Sequence, residues 1–260
     1  MALVVDVLGR YPLPTVRVIL SGVPAGTAWE LHGTSADGEW LVASGVSTGG
    51  EVVTADPWAP LGVPTSYRLT FGATVQTDGP VVRRFGGDAA VTDLTGRTVA
   101  DVAWMASGDE RESERRGHFS QVPGARYMPA RLDPVAGVGG GSVTVRASLP
   151  DASTFAGLLA SNRPLILLHN RDRCQIPGCV VEPVRTVWFT ADQNRAVPIV
   201  SHGVREWSLP YRVMPSGVRG GVVPVVDNRD VLDHFESWAD VLATVGGDLA
   251  ALPRGDWFFQ

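Results

Sequence analysis

Hydrophobic and polar positions along this chain alternate with a period of two far more often than with the period of a helix. In Ser66-Tyr67-Arg68-Leu69-Thr70-Phe71 the residues Tyr67, Leu69 and Phe71 share one face, because successive side chains of a strand point to opposite sides. Trp29 and Leu31 do the same within Ala28–His32. Further strands are predicted at Thr15–Leu20, Glu39–Ala43, Glu51–Thr54, Val75–Thr77 and Val81–Arg84. Turns are expected at Gly22–Gly26, Asp37-Gly38, Gly49-Gly50 and Asp78-Gly79-Pro80, with Pro57, Pro60 and Pro64 carrying an irregular crossing. Six or seven short strands at this spacing predict a β-sandwich over residues 1–86. The aromatic set is read as its interior, and Gly86-Gly87-Asp88 as its boundary.

Residues 87–260 read as a second β-rich domain with short helices. Strands are expected at Ala89–Leu94, Arg97–Met105 and Ser142–Ala147, the last after a flexible joint at Val138–Gly141. The segment Asp109–Arg116 mixes charges without an aliphatic residue. It is read as a solvated loop or an edge strand that resists pairing, or as a partner contact. Asp151 is expected to cap a helix with the stripe Phe155, Leu158 and Leu159, stopped by Asn162 and Pro164. Leu165-Ile166-Leu167-Leu168 suits a fully buried strand. Val184–Phe189 and Ala196–Val200 are predicted to form a hairpin turning at Asp192-Gln193-Asn194. In Val204–Val213 the residues Trp207, Leu209, Tyr211 and Val213 share one face, and Pro210 predicts an edge strand or a bulge. Val231, Leu232, Phe235, Trp238, Val241 and Leu242 recur at helical steps, so a helix is expected from Asp227 or Asn228 to about Thr244, ended by Gly246-Gly247. Asp256-Trp257-Phe258-Phe259-Gln260 is an apolar tail with no evident core of its own. The fold class expected is mainly β: two β-sandwich-like domains with short helices, the last near the C-terminus.

The chain has 260 residues, 44% of them apolar, and a mean hydropathy of +0.07, enough for a real core and unlike a disordered tail. Its 30 glycines and 19 prolines suit many short elements joined by turns. All 22 basic residues are Arg, which reads as the codon usage of a GC-rich genome, or as selection for planar bidentate contacts. A net charge of -5 without clustered cations argues against a nucleic-acid surface. The start, Met1–Asp6, has no basic segment ahead of its apolar run, and no stretch approaches the roughly 20 apolar residues of a membrane span. Synthesis in the cytoplasm is therefore expected.

The sequence carries no common catalytic pattern. A chain without Lys cannot hold a phosphate loop with its lysine, and neither His-Glu-x-x-His nor Gly-x-Ser-x-Gly occurs. His32, His118, His169, His202 and His234 have no ligand spacing. Cys174 and Cys179 flank Ile176-Pro177-Gly178 and are read as reduced thiols, a local disulfide or part of a metal site, which would need two more ligands. No enzyme, cofactor or metal is expected.

Two resemblances add to this. The first module resembles a fibronectin type III or related immunoglobulin-like domain, with Trp29 early and Tyr67 late. The second half resembles minor tail proteins of siphophages that infect actinobacteria, through Leu167-Leu168-His169-Asn170-Arg171-Asp172-Arg173-Cys174, Arg205-Glu206-Trp207-Ser208-Leu209-Pro210-Tyr211-Arg212-Val213 and Ser237-Trp238-Ala239-Asp240-Val241-Leu242-Ala243. This resemblance implies a structural virion part at the tail tip or baseplate, built as a trimeric or hexameric ring of β-sandwich domains. Its implied partners are tail tube, tail-tip or hub, and tape measure proteins. Trp238, Trp257, Phe258 and Phe259 are the candidate inter-subunit contacts, although the aromatic C-terminus has no counterpart in that family. The alternative reading is a carbohydrate-binding module for host-surface recognition, with Trp40 and Trp58 stacking on a host glycan.

Overall fold

The computed structural model describes residues 2–9, 13–112, 117–119, 130–132, 139–149, 151–174, 181–196, 203–214, 223, 231 and 234–246. It is mainly β, as the alternation requires. Seven strands make the first unit: β1 (Ala2–Leu8), β2 (Thr15–Ser21), β3 (Ala28–Ser35), β4 (Gly38–Val46), β5 (Val52–Asp56), β6 (Pro64–Phe71) and β7 (Thr74–Val82). They form two antiparallel sheets, ordered β1-β2-β5 and β4-β3-β6-β7. The inner faces are the period-two arrays: Val16, Val18 and Leu20 from one sheet, Trp29, Leu31, Tyr67, Leu69 and Phe71 from the other, all 5% exposed or less. At roughly 1.5–3 kcal/mol per large side chain, this one-sided burial is the main term that sets register.

One expected turn is absent. Asp78-Gly79-Pro80 lies within β7, which passes through a cis Gly79–Pro80 bond while β6 shifts register between Thr65 and Tyr67. The Asp78 side chain instead accepts from the Val5 backbone N–H at 2.7 Å, tying β7 to β1 across the sandwich.

The second unit contains β8 (Ala89–Thr92), β9 (Val99–Glu112), a two-stranded pair of β10 (Gly117–Phe119) and β11 (Ala130–Leu132), β12 (Gly140–Ala147), α1 (Asp151–Ala160), β13 (Leu165–His169), β14 (Val184–Phe189), β15 (Gln193–Ala196) and β16 (Arg205–Val213), followed by α2 (Trp238–Thr244). Its sheet runs β12-β9-β8-β13-β14-β16, and β12 pairs again with β16, so six strands close on themselves into a barrel; β15 lies alongside β16. Val91, Val102, Val143, Val145, Leu167, Val187, Trp207 and Leu209 fill the interior, as small barrels require. Helix α1 adds Phe155, whose ring meets Trp207 edge-on at 5.0 Å.

Several local expectations change once the barrel closes. Strand β16 is not an edge: β12 flanks one side, and the other passes from β15, opposite Arg205–Ser208, to β14, opposite Tyr211–Val213. Pro210 falls at that changeover, where its carbonyl accepts from Thr190 N–H at 2.9 Å. Of the second strand predicted for a hairpin with Val184–Phe189, Ala196 is the last residue of β15 and pairs with Arg205 of β16, while residues 197–200 lie outside the described residues; Gln193 and Asn194, expected in the turn, are strand residues opposite Ser208 and Trp207. Gly140 and Gly141 belong to β12 rather than to a joint, and a Cβ on Gly140 would come within 2.6 Å of the Tyr211 carbonyl oxygen. Glu110, Arg111 and Glu112 are paired residues of β9, opposite Ser142, Gly141 and Gly140. The Asp151 carboxylate accepts from Asp101 N–H at 3.2 Å, tying α1 to β9. The long final helix is interrupted, since Phe235 to Ser237 are not helical and Ser237 accepts from Asp240 N–H as the cap of α2.

The two units share a buried seam. Strand β13 is buried on both sides: Leu165 and Leu167 face the barrel interior, while Ile166 and Leu168 pack with Leu13, Ala55, Trp58 and Leu61 of the sandwich. That double burial is why this strand reads as an unbroken apolar run. Asn170 Nδ2 donates to the carbonyls of Phe85 and Gly87 at 2.9 and 2.8 Å. Val223 is tied to β5 by two bonds: its N–H donates to Thr54 Oγ1 at 3.1 Å and its carbonyl accepts from Ala55 N–H at 2.7 Å.

Candidate functional site at the module junction

The β3–β4 turn, the segment after β5 and the approach to β14 meet around a cleft of about 250 Å³, lined by Ser35, Asp37, Glu39, Trp40, Trp58, Pro60, Glu182, Pro183 and Val184. The structure thus brings together the two indoles singled out in the sequence. They differ in access: Trp40 is half-buried, whereas Trp58 is 3% exposed and offers the cleft only part of its ring. Burial leaves Trp58 little ring surface to offer the cleft, and Trp40 offers more.

Both rings are fixed by their N–H groups. Trp40 Nε1 donates to Asp56 Oδ2 at 3.1 Å, and Trp58 Nε1 donates across the seam to Thr186 Oγ1 at 3.1 Å. Trp40 also lies over Gly33, its cross-strand partner, where a Cβ would meet Cζ2 at 2.5 Å. The rim charges are matched. Asp37 pairs with Arg171 at 2.8 Å; Glu39 pairs with Arg68 and, at 3.1 Å, with His32 Nδ1; Glu182 faces Arg185 at 3.7 Å.

Beneath the cleft lies a fully buried polar group of residues. Asp56 accepts from Tyr67 Oη at 2.9 Å, from Trp40, and from Trp58 N–H at 3.0 Å in an Asx turn. Burial pushes its carboxyl above the ordinary value, while the Tyr67 and Trp40 bonds and the Arg83 charge oppose the rise. Tyr67 is pushed well above the usual phenol range by burial and by Asp56. Burial lowers Arg83 to about 10, with Asp56 and Tyr67 holding it up. Its guanidinium clamps the chain by donating to the carbonyls of Pro14, Pro57 and Ala59 at 2.6, 3.1 and 3.0 Å. Sequence reading missed this group. The one local signal was Asp56-Pro57-Trp58, an Asp placed to bond its own backbone two residues on. Nothing around Arg83 distinguishes it from its neighbour Arg84.

A second polar cluster closes one end of the barrel interior. Arg185 donates to Tyr211 Oη at 3.0 Å and stacks on the Trp104 and Tyr211 rings at 5.4 and 5.9 Å, and Trp104 in turn stacks on His169 at 5.8 Å. Among the described residues no cluster of His, Cys, Asp and Glu is arranged to hold a metal ion, and no helix is long and apolar enough to cross a membrane. Cys174 is half-buried; Cys179 lies outside the described residues. Of the four candidate contacts, Trp238 is 67% exposed on α2, and Trp257, Phe258 and Phe259 lie outside the described residues. No family model, curated protein or solved structure matches the chain.

Proposed function

We propose that this chain is a structural, non-enzymatic component of a bacteriophage tail. In this reading it is a minor tail protein of the tail tip or baseplate, made in the host cytoplasm and carried in the virion as a ring of identical copies. The observation that carries the reading is how the three tail-protein-like segments coincide with elements. Leu167–Cys174 is the end of β13 and its turn, Arg205–Val213 is the whole of β16, and Ser237–Ala243 is the cap and body of α2. Each segment therefore falls on an ordered strand or helix and its flank, and one of them, Arg205–Val213, spans its strand from end to end.

Other features support it. The strand order 1-2-5 facing 4-3-6-7 is the one a fibronectin type III module would have, and we assign the first unit to that type. The buried seam between the units suits a part that must pass force along a tail. On α2, Trp238 and Leu242 are 67% and 45% exposed one turn apart, an apolar pair that a neighbouring subunit would cover. Partners would be copies of this chain and the adjoining tube, hub and tape measure proteins. The test is light scattering on the purified chain together with mass spectrometry of purified particles. A trimer or hexamer, and the chain's peptides in the particle, are expected. A monomer at micromolar concentration that is absent from virions would refute the assignment.

A further inference from the structure

We infer that the junction cleft binds a neutral saccharide, with Trp40 as its apolar platform and the carboxylates of Asp37, Glu39 and Glu182 as hydroxyl acceptors. The inference rests on the cleft alone and is independent of assembly into a ring.

Three observations support it. First, the platform is ordered before any ligand arrives. The Trp40 and Trp58 N–H groups are spent on Asp56 and Thr186, so the rings present carbon surface to the cleft. Trp40 lies against Gly33, and Pro60 and Pro183 stiffen the walls. A ligand therefore stacks without paying to immobilise the aromatic group. Second, the charges cancel. Three carboxylates on the rim face the guanidinium groups of Arg68, Arg171 and Arg185. A cleft with three uncompensated carboxylates beside an indole would select an ammonium ligand through charge and ring together. Here the carboxylates are held in place by cations, leaving acceptor positions for hydroxyl groups, since an ionised carboxylate has about four lone-pair sites. Third, at about 250 Å³ the space is smaller than the usual 300–1,000 Å³ of drug-sized sites and matches a single sugar ring with its substituents reaching out. A ring with an apolar C–H face and equatorial hydroxyls uses both kinds of wall.

The experiment uses the full chain. Methyl glycosides of glucose, galactose, mannose and arabinose, and an array of their oligosaccharides, are titrated by calorimetry and by NMR of the indole N–H signals. Tetramethylammonium chloride is the cationic probe. At least one saccharide is expected to saturate and to shift the Trp40 indole resonance. Trp40→Ala should weaken it by about tenfold or more, as loss of an aromatic contact surface does. Glu182→Gln exchanges a carboxylate acceptor for a weaker, neutral one, so it should weaken binding several-fold while circular dichroism shows the chain still folded; it keeps the test decisive if Trp40→Ala misfolds. Absence of any saturating saccharide, binding indifferent to both substitutions, or Trp40-dependent binding of tetramethylammonium alone would each overturn the inference.

Discussion

Replacing Arg83 by Met should destabilise the sandwich by about 3–5 kcal/mol, the range for removing one member of a buried charged group. The structure supplies the terms. Arg83 is 2% exposed and is the donor to three carbonyls, those of Pro14, Pro57 and Ala59. Leaving each of these acceptors buried and unpaired costs about 1–3 kcal/mol. Asp56 also loses the cation that offsets its burial. Release of the guanidinium from its own desolvation returns several kcal/mol, which is why the net is less than the sum of the losses. Urea unfolding followed by tryptophan emission reads the loss directly, as a fall in midpoint at constant slope. Arg83→Lys separates geometry from charge: it keeps the cation but not the fork that reaches three oxygens, so it should lose more than half as much. The double variant Asp56→Asn, Arg83→Met should recover only part of the loss, because the three carbonyls remain unpaired. A cost below about 1 kcal/mol for Arg83→Met, or full recovery in the double variant, would refute the carbonyl-clamp account.

Gly140→Ala should cost roughly 1–3 kcal/mol, because its Cβ would meet the Tyr211 carbonyl 2.6 Å away and force apart the β12–β16 pairing that closes the barrel; thermal unfolding measures it. Trp58→Phe keeps the ring but loses the bond to Thr186, so a drop of about 1 kcal/mol is expected, and Thr186→Val in the Trp58→Phe background should add little further. Asp56 and Asp101 both have carboxyls raised by burial, Asp101 also by Asp151 and Asp88. A carboxyl raised in the folded state binds its proton more tightly there, so the contribution of these two to stability grows as pH falls through their raised values and levels off below the ordinary 3.8. Asp101→Asn should therefore raise the urea midpoint at pH 7, with the gain over wild type vanishing below about pH 4; a gain that persists in acid would point to a cause other than this titration.

How far the chain could be read in advance depended on whether burial was one-sided and local. Tyr67, Leu69 and Phe71 announced their strand because one face meets a core and the other meets solvent. Leu165–Leu168 announced burial but not its cause, since an apolar run looks the same whichever elements cover it. Barrel closure was invisible because it rests on β12 meeting β16 some 70 positions away, at Gly141 and Tyr211. No local signal encodes that pairing, and the glycines that permit it read as a flexible joint. Pro210 misled for the same reason: whether a missing N–H matters depends on which strand lies opposite. Ser237 was a legible cap, yet the six-residue apolar periodicity around it outweighed it in the reading. For the site, Trp40 and Trp58 stood out as large aromatics among turns, but their shared cleft depends on a bond from Trp58 to Thr186, 128 positions on.

The double burial of β13 has a consequence for how the chain can be divided. If Ile166 and Leu168 face the sandwich, then a chain cut after residue 86 uncovers Ala55, Trp58 and Leu61, each 3% exposed or less in the whole protein. It also strips Trp58 of Thr186 and the cleft of its Glu182–Val184 wall. The expected outcome for residues 1–86 alone is a folded sandwich, since the cluster around Leu31 and Leu69 lies wholly within it, but one that self-associates through the bared seam and emits from a solvent-exposed tryptophan. Heteronuclear NMR and light scattering on that fragment check both halves of the statement. A monomeric fragment with a buried Trp58 would mean that the seam is incidental to the sandwich.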